Sequence, residues 1–587
     1  MKRVVVIDKD KCRPSKCGNY LCQRICPKNR AGEKCVTVGE DDKPLIDEDI
    51  CIGCGICVKK CQFDAIKIVN LPEQLREKPI HRFGRNQFVL FRLPYPIPGQ
   101  VVGLVGSNGL GKTTALMILS GQIKPNLGGS RKIDFSELIT LFRGTEVQNY
   151  LEKLKDKEIR VSFKPQRVDK IPEKYSGKVS KLLNKTDERG ILSGLIARFA
   201  LEEILDDDID RISGGELQRV AIAACLAKDA DIYYFDEPTS FLDVFQRLEV
   251  SKTIREFCQN RSVMVTDHDL ATLDFLADRI HVFYGTPGVY GIVSSPYSVR
   301  NGINTFLDGY IREDNVRIRP TPIKFESSYV QSTRGGSVLL EFSDIKKTLG
   351  DFSLTIKKGE LYKQEVLGIL GANALGKTTF ARILAGEIKQ DSGDINRKVK
   401  IAYKSQYPRT DFDGTVRELL KSVSDVKTES YKAEVIRPLE LEKLLEREVK
   451  KLSGGELQRV AIAVALSQES DVYLLDEPSA FLDVEMRLSL ASMIRRLVEK
   501  RECSAMIVDH DLLFLSRIAD RGMVFFGKPG KEGYVEEPMS VEEAFDRFLK
   551  EVGVTFRTDK TSGRPRANKL GSKLDREQKD RGKYYMS

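Results

Sequence analysis

The sequence predicts an α/β fold in which one type of domain occurs twice, preceded by a small α+β domain at the N-terminus. Three observations support this prediction. Long motifs recur 240 residues apart, so most of the chain consists of two copies of one unit. Each copy opens with an apolar run, a glycine-rich loop and an apolar helical pattern, the order expected of a parallel α/β sheet. Nine of the twelve cysteines lie in the first 61 residues, ahead of both copies.

The composition is that of a soluble globular protein. The chain has 587 residues, 41% hydrophobic and 31% charged, which excludes disorder for most of its length. No stretch approaches the roughly 18 to 20 apolar residues that a bilayer requires, so we expect no membrane partner. The N-terminal segment MKRVVVIDKD has only four apolar residues in its core, whereas a secretory signal needs about 7 to 15. We therefore expect a cytoplasmic protein.

The cysteine spacing in the first domain indicates a metal site, because a reducing cytosol disfavours disulfides. The run Cys51-x2-Cys54-x2-Cys57-x3-Cys61 is the bacterial ferredoxin pattern for a [4Fe-4S] cluster, although Gln62 stands where that pattern has proline. A second set with longer gaps precedes it and ends in Cys-x3-Cys-Pro. Zinc is the alternative metal, since four thiolates suit it as well.

The order of the two sets predicts a ferredoxin-like domain with two clusters. In two-cluster ferredoxins the fourth cysteine of each run binds the other cluster. By that rule the first cluster is expected on Cys12, Cys17, Cys22 and Cys61, and the second on Cys26, Cys51, Cys54 and Cys57. Cys35 is left over and is expected to be structural.

The two copies differ by one insertion. Ser213 and Ser453 open the same string, Ser-Gly-Gly-Glu-Leu-Gln-Arg-Val-Ala-Ile-Ala, 240 residues apart. Lys112 and Lys377 are 265 residues apart, so the first copy carries 25 additional residues between its glycine-rich loop and the string. A helix–loop–helix at about 133–158 is predicted to account for them. An insertion in one copy alone is either a docking element or a neutral surface loop.

Each copy contains a phosphate-binding loop. The strings GSNGLGKT and GANALGKT follow apolar strands and precede apolar helices, which is the context that makes this motif specific. Loop N–H groups approach the phosphates, the lysine bonds the β/γ oxygens, and the threonine gives a hydroxyl to Mg²⁺. The second loop is expected to be slightly stiffer, because it has Ala374 where the first has Gly109. The residues expected to bind ATP here are Gly106, Asn108, Gly109, Gly111, Lys112, Thr113 and Thr114, and Gly371, Asn373, Gly376, Lys377, Thr378 and Thr379.

An acidic pair ends a further apolar strand in each copy. Asp236-Glu237 follows IYYF, and Asp476-Glu477 follows VYLL. Ligands bind at the carboxyl ends of such strands. Each aspartate is therefore expected to hold Mg²⁺ through water, and each glutamate to polarise the attacking water as a general base.

Two of the four histidines occupy matching positions after another apolar strand. His268 follows SVMVTD and His510 follows SAMIVD. A lone histidine is more often structural, but its recurrence in the repeat favours a sensor of the γ-phosphate. We therefore count both histidines as catalytic.

These motifs resemble those of ATP-binding-cassette (ABC) ATPases, whose signature begins at Ser213 and Ser453 here. The resemblance implies a head-to-tail pair of cassettes, with Ser453 facing Lys112 and Ser213 facing Lys377 across each ATP. It also implies Q-loop glutamines that join Thr113 and Thr378 as Mg²⁺ ligands, and D-loop aspartates. The ATP-site residues that it adds are Gln166, Ser213, Gly215, Asp243, Gln406, Ser453, Gly455 and Asp483. Phe83 either stacks on adenine or lies in the core.

The complete order resembles the E subfamily of ABC proteins, the ribosome-recycling or RNase L inhibitor type. The resemblance rests on CIGCGICVKKC, FRGTEVQNY, YGTPGVYG and VTFRTDKTSGRPRANKL. It implies that ATP-driven closure splits post-termination or stalled ribosomes, with the head as a lever against the small subunit, its rRNA and proteins. A release factor or its stalled-ribosome relative is the implied second partner. It further implies a monomer with intramolecular pairing of the cassettes.

The expected domains are a head at 1–75, a first cassette at 76–285, a hinge at 286–334, a second cassette at 335–535, and a second hinge with a basic tail at 536–587. The last 32 residues carry ten Lys/Arg and four Asp/Glu, which indicates either contact with RNA or a frayed terminus. The alternative function is that of a soluble ABC ATPase that energises a membrane permease or a redox complex.

Overall fold

The computed structural model describes residues 3–71, 77–129, 133–325, 337–396, 399–406, 412–426 and 428–586. The chain forms two compact units. The first comprises Met1–Phe241 and Glu249–Ile323, and the second comprises Leu242–Leu248 and Lys324–Ser587. None of the described helices combines the length and the apolar character that a membrane crossing requires.

The head is a small α+β fold within the first unit. Its outer strands, Arg3–Ile7 and Ile66–Asn70, pair antiparallel, and a short hairpin joins Val36–Val38 to Pro44–Ile46. Its helices are Leu21–Ile25, Pro27–Arg30 and Ile56–Lys60. Because such short elements bury little apolar surface, six of the head's cysteines are part of its core.

The first cassette is built on a mixed sheet in the first unit. Its order is His81–Arg82, Val89–Phe91, Tyr290–Val293, Arg279–Thr286, Val101–Val105, Ser262–Thr266, Ile232–Asp236 and Val161–Lys164. The last five strands of this order run parallel, so their carboxyl ends meet at one edge. The sheet extends beyond residue 285, where the sequence predicted the hinge to begin, because Tyr290–Val293 pairs with the strands on both sides of it.

The insertion of the first cassette forms two helices, Phe135–Leu141 and Glu146–Lys155. Leu138 and Leu151 are fully buried, and the Tyr150 hydroxyl donates to the carbonyl of Leu119 (2.5 Å). The insertion is therefore anchored in the cassette core rather than attached only at its ends. The cassette's other helices are Lys112–Leu119, Ile171–Lys174, Val179–Thr186, Leu192–Phe199, Gly214–Ala227, Val244–Phe257 and Leu270–Leu276.

The predicted hinge contains a helix, Val299–Asp308. An ion pair ties it to the first cassette: both terminal nitrogens of Arg92 donate to the Asp314 carboxylate (2.9 Å each), and the Tyr284 hydroxyl donates to it as well (2.5 Å). The part of the predicted hinge that falls on residues 326–334 lies outside the described residues.

The second cassette repeats the architecture within the second unit. Its sheet order is Gly359–Tyr362, Val338–Leu349, Phe352–Ile356, Glu532–Val535, Arg521–Lys528, Val366–Gly371, Ser504–Val508, Val472–Asp476 and Ile401–Lys404. Its main helices are Lys377–Leu384, Val416–Lys421, Gly454–Ser467, Val484–Arg501, Leu512–Ile518 and Val541–Val552. The predicted fold, two α/β cassettes behind an α+β head, is confirmed.

The basic tail is folded, which excludes the frayed terminus that the sequence left open. Strands Phe556–Thr558, Pro565–Ala567 and Tyr585–Met586 form a small sheet, and Lys573–Asp580 is a helix. Its interior is polar: Asp575 accepts hydrogen bonds from the Thr555 hydroxyl (2.7 Å) and the Gly571 N–H (2.9 Å).

Candidate functional site

The phosphate-binding loops lie at the carboxyl ends of the strands Val101–Val105 and Val366–Gly371. Each loop ends in a left-handed glycine that caps the following helix; at Gly111 φ is 89°, and a Cβ would lie 2.9 Å from the Phe88 ring. Glycine is thus required there for both conformation and space. The helix N-terminus presents free N–H groups at the point where phosphates are expected.

The loop lysines fold back over their own loops. Lys112 Nζ donates to the carbonyls of Gly106 (2.6 Å) and Ser107 (3.0 Å). Lys377 Nζ donates to those of Gly371 (2.9 Å) and Ala372 (2.5 Å), and burial lowers its pKa to about 8. An anionic phosphate at this position would replace those carbonyl contacts and favour the ammonium form.

The acidic pairs lie beside the loops, because their strands are separated from the loop strands by one parallel neighbour. Thr378 Oγ1 donates to Asp476 Oδ2 (2.7 Å), and Thr266 Oγ1 donates to Asp236 Oδ1 (2.5 Å). Burial raises the pKa of both aspartates, and these hydroxyl donors lower it.

The other oxygens of the two aspartates identify a cation site. Asp236 Oδ2 and Asp476 Oδ1 are buried, and no donor of the described residues reaches them. Buried carboxylate oxygens are normally satisfied, and hydrated Mg²⁺ beside a threonine hydroxyl would supply the missing partner. The residues therefore fit Mg²⁺.

The predicted base, histidine and Q-loop glutamine are close together in both cassettes. Gln166 Nε2 donates to Glu237 Oε1 (2.7 Å), and His268 Nε2 lies 3.1 Å from the same oxygen. The histidine contact is close but not aligned as a hydrogen bond. Burial raises the pKa of Glu237, but His268 and then Lys112 outweigh it and lower that pKa to about 2.

The second cassette reproduces this arrangement. Gln406 Nε2 donates to Glu477 Oε1 (2.8 Å), and His510 Nε2 lies 3.4 Å from that oxygen. Burial raises the pKa of Glu477, but His510 and then Lys377 and Lys404 together outweigh it and lower that pKa. Both glutamates are therefore ionised at neutral pH, as a base for water requires.

The signature serines lie at helix N-termini, where the sequence placed them. Ser213 caps Gly214–Ala227 and Ser453 caps Gly454–Ser467, each in a capping box with the glutamate three residues later. Both serines are exposed. That each serine faces the loop lysine of the other cassette stays a prediction.

The two D-loop aspartates each accept a hydrogen bond from a backbone N–H. Asp483 caps the helix Val484–Arg501 and accepts from the Met486 N–H (2.9 Å). Asp243 belongs to the short segment that groups with the second unit, where its carboxylate accepts from the Asn373 N–H (2.8 Å).

Phe83 is 53% exposed, so it is not the core phenylalanine that the sequence left as one alternative. It contacts the His81 ring edge-on, with centroids 4.9 Å apart. The adenine-stacking role stays a prediction.

Sequence reasoning missed two lysines and two glutamines. The fully buried Lys164 ends the strand Val161–Lys164, and its ammonium donates to the carbonyls of Asp236 and Glu237 (both 3.0 Å). Gln218 Nε2 donates to the same Glu237 carbonyl (2.7 Å). The signal was present, since a lysine two residues before the Q-loop glutamine and a glutamine in the signature helix recur in the second copy, as Lys404 and Gln458.

The cysteines predicted for the first cluster lie near one another in the head, and the exchange of the fourth cysteine stays a prediction. The thiols of Cys17 and Cys61 lie close enough to Cys12 and Cys22 to raise the pKa values of those two; burial is the larger cause and raises that of Cys22 to about 11. A cavity in the head is lined mainly by sulfur and apolar side chains, together with Lys28; they include those of Cys26, Cys35, Cys51, Cys54, Cys57, Val36, Ile46 and Ile68.

These surroundings fit iron–sulfur clusters, which need thiolates in an apolar shell. No three His, Cys, Asp or Glu side chains among the described residues are grouped tightly enough to hold a single metal ion. Cys35, predicted to be structural, lies beside Cys26 and Cys51 in this cavity. Burial and then these two thiols raise the pKa of Cys35. The position of Cys35 therefore does not distinguish it from the predicted cluster ligands.

Comparison with protein families matches two regions of the chain. The model for ABC transporters matches residues 97–240 and 349–480, and that for a 4Fe-4S binding domain matches residues 44–67. The second match contains Cys51, Cys54, Cys57 and Cys61, so an iron–sulfur domain is supported at the later cysteine set.

Full-length relatives include an uncharacterized ABC transporter ATP-binding protein of Methanocaldococcus jannaschii, which is 50% identical over 99% of this chain and 97% of its own length. The translation initiation factor RLI1 of Saccharomyces cerevisiae is 44% identical over 100% and 98%. A structure described as a model of ribosome-bound archaeal Pelota and ABCE1 has a TM-score of 0.93 at 51% identity, covering 100% of this chain and 99% of the other.

Proposed function

The chain belongs to the E family of ABC proteins and is an ABC-type ATPase, and we propose that it uses ATP to split post-termination or stalled ribosomes into subunits. The observation that carries the proposal is similarity over the whole chain, head and tail included, to a protein that was determined bound to the ribosome with Pelota. Similarity confined to the cassettes would leave the partner open.

Hydrolysis at each site follows from the contacts already described. Lys112 and the loop N–H groups would hold the phosphates, while Asp236 and Thr113 would hold Mg²⁺. Glu237, ionised and oriented by Gln166, accepts a proton from the attacking water. The second site uses Lys377, Asp476, Thr378, Glu477 and Gln406 in the same roles.

Closure of the cassettes is the proposed power stroke. Moving an open–closed equilibrium from 1:99 to 99:1 needs about 5.5 kcal/mol of differential affinity. Shared between two sites, that is roughly 2.7 kcal/mol each, and one charge-assisted hydrogen bond contributes about 1.5–3 kcal/mol. Two or three bonds from Ser213, Ser453 and their neighbouring N–H groups to the γ-phosphates suffice. Loss of that phosphate reopens the pair.

The head is proposed to carry two [4Fe-4S] clusters, on the two cysteine sets named above, and to act as a rigid lever against the small subunit. Its attachment to the first cassette supports this role. Asn86 of the cassette accepts from the Ile46 N–H (2.8 Å) and donates to the Ile46 carbonyl (2.9 Å) of the head. Arg82 pairs with Glu48 through two hydrogen bonds (2.9 and 2.5 Å).

The same turn links this attachment to the nucleotide. Phe83, proposed to stack on adenine, lies between Arg82 and Asn86 in sequence, and Phe88 packs under Gly111. Displacement of the turn by bound ATP would therefore act directly on the head. The proposed partners are the small ribosomal subunit and a release factor or its stalled-ribosome relative, in the cytoplasm.

Sedimentation of ribosomes tests the proposal. Post-termination ribosomes are incubated with the full chain, the release factor and ATP, and separated on a sucrose gradient. We expect subunits to appear with ATP and the chain to co-sediment with the small subunit when a non-hydrolysable analogue is used. Intact ribosomes in the presence of a chain with full ATPase activity would contradict recycling.

A further inference from the structure

A buried lysine and a buried glutamine hold the backbone of each hydrolytic glutamate. Lys164 and Gln218 are both fully buried, and both donate to the Glu237 carbonyl, at 3.0 and 2.7 Å. Lys164 also donates to the preceding carbonyl, that of Asp236 (3.0 Å). The donors come from different elements, the strand Val161–Lys164 and the signature helix Gly214–Ala227.

The second cassette contains the same arrangement. Lys404 donates to the carbonyls of Asp476 (2.7 Å) and Glu477 (3.3 Å), and Gln458 donates to the Glu477 carbonyl (2.7 Å). Lys404 is 3% exposed, and Gln458 is fully buried. A buried ammonium is costly unless its donors are satisfied, so its presence at both sites points to a common role.

The conformation of the glutamates explains what the donors do. Glu237 has φ of 48° and Glu477 has φ of 47°, in the left-handed region that residues with a side chain avoid. That conformation is unfavourable for a residue with a Cβ and persists only where surrounding contacts impose it. It directs the Glu237 carboxylate to Gln166 and His268. Two donors on the carbonyl of the same residue supply the constraint.

We propose that Lys164 with Gln218, and Lys404 with Gln458, are positioning residues that lock the left-handed backbone of the hydrolytic glutamates and so aim their carboxylates at the attacking water. Because the glutamine belongs to the helix that the signature serine caps, the lock also connects that helix to the base. The proposal concerns ATP hydrolysis by the chain alone, so its failure would leave ribosome recycling untouched.

The test replaces both lysines at once, since an intact second site would mask a defect in the first. Lys164→Met combined with Lys404→Met roughly keeps the length of the side chains and removes the lysine N–H donors. The donors of Gln218 and Gln458 stay in place. Lys181→Met, at an exposed lysine of the helix Val179–Thr186, is the matched control. The readouts are kcat and KM for ATP without ribosomes, the affinity for a fluorescent ATP analogue, and the unfolding temperature.

We expect kcat to fall on the order of tenfold to a hundredfold while KM and analogue affinity stay within about threefold, because only the aim of the base is lost. The control should match the parent chain. A second pair, Lys164→Gln with Lys404→Gln, places an amide donor where each ammonium stood and should give an intermediate kcat. This pair decides the matter if the methionine pair fails to fold.

Two results would overturn the proposal. One is a folded variant of either pair with kcat within about twofold of the parent. The other is an unchanged kcat with a raised KM, which would place the lysines in nucleotide binding instead.

Discussion

The imidazole of His268 lies 3.1 Å from the carboxylate of Glu237, and His510 lies 3.4 Å from Glu477. Each pair joins two strands that are adjacent in the parallel sheet, Ile232–Asp236 with Ser262–Thr266 and Val472–Asp476 with Ser504–Val508. The histidine keeps the glutamate ionised against the effect of burial. The fold without nucleotide therefore already holds the glutamate of each site in its ionised form.

Replacing the glutamates should stop turnover while leaving nucleotide binding intact. Glu237→Gln with Glu477→Gln preserves shape and removes the proton acceptor, so we expect kcat to fall on the order of 10²- to 10⁴-fold and ATP to remain bound. Steady-state hydrolysis and retention of labelled ATP on a filter measure the two effects. Undiminished hydrolysis in the double variant would reject the assignment of the base.

The second phosphate loop contains a strained alanine. Ala374 has φ of 59°, and its carbonyl accepts from Gly530 (3.0 Å) as that of Gly109 accepts from Gly288 (2.9 Å). Ala374→Gly should relieve about 1–2 kcal/mol of strain, less about 0.4–1 kcal/mol for the freer unfolded chain. We expect a small rise in unfolding temperature.

Gly109→Ala is the reciprocal change and should lower that temperature, because φ is 76° there and a Cβ would lie 3.1 Å from the Gly288 nitrogen. Calorimetry without nucleotide compares the two variants. If both variants shifted the unfolding temperature equally and with the same sign, strain of a Cβ in the left-handed conformation would not explain the difference between the two loops.

The head should loosen when Asn86 is removed. Asn86 is 2% exposed, and its side chain bonds both backbone groups of Ile46. Asn86→Ala leaves buried polar groups unsatisfied, at about 1–3 kcal/mol each. Hydrogen exchange should therefore accelerate at the amides of Ile7 and Ile46, measured by mass spectrometry.

Arg85→Ala is the control for this prediction. The Arg85–Asp47 pair is exposed and long (3.4 Å), and such pairs contribute about 0–1 kcal/mol. Exchange in the head should be unchanged in this variant. The attachment would be assigned wrongly if both variants behaved alike.

Iron content tests the predicted cluster ligands. Cys61→Ser and Cys26→Ser each remove one ligand of a different cluster, so each should lower iron from about eight to about four atoms per chain. Cys35→Ser should leave it at about eight, as expected of a structural cysteine. Iron is measured by colorimetric assay on anaerobically purified protein. A loss of four atoms in the Cys35 variant would make that thiol a ligand.

The folded tail should be sensitive to acid through Asp575. Burial raises the pKa of this carboxyl, but donors from Thr555, Gly571 and Lys579 lower it below its usual value. A lowered pKa contributes stability above the unfolded-state value near 4, and that stability is lost as pH falls through the folded value. The protection of the helix Lys573–Asp580, measured against the intrinsic exchange rate at each pH, should therefore fall on acidification.

Asp575→Asn should raise exchange in that helix already at neutral pH and remove its dependence on acid. The same measurement on the helix Gly454–Ser467 serves as an internal reference within the second unit. Parallel responses of the two helices would assign the acid effect to another group.

The residues of the candidate ATP sites could be predicted because short consecutive stretches of sequence form most of each site. A strand, a glycine loop and a helix are consecutive, so Lys112 and Thr113 need no distant partner to be recognised. The carboxyl ends of parallel strands meet by construction, which placed Asp236, Glu237 and His268 together. The repeat places the same residue types at the matching positions of the second copy.

The order of motifs along the chain was thus sufficient to predict two cassettes and a cysteine-rich head, and it supplied the groups that we propose contact ATP. Tertiary structure alone decided that Lys164 reaches the backbone of Glu237 across 73 residues, that Asn86 fastens the head, and that the basic tail folds around Asp575. Those contacts depend on which strands become neighbours in the sheet and on the hydrogen-bond partners that a buried polar group requires. A local sequence pattern specifies neither.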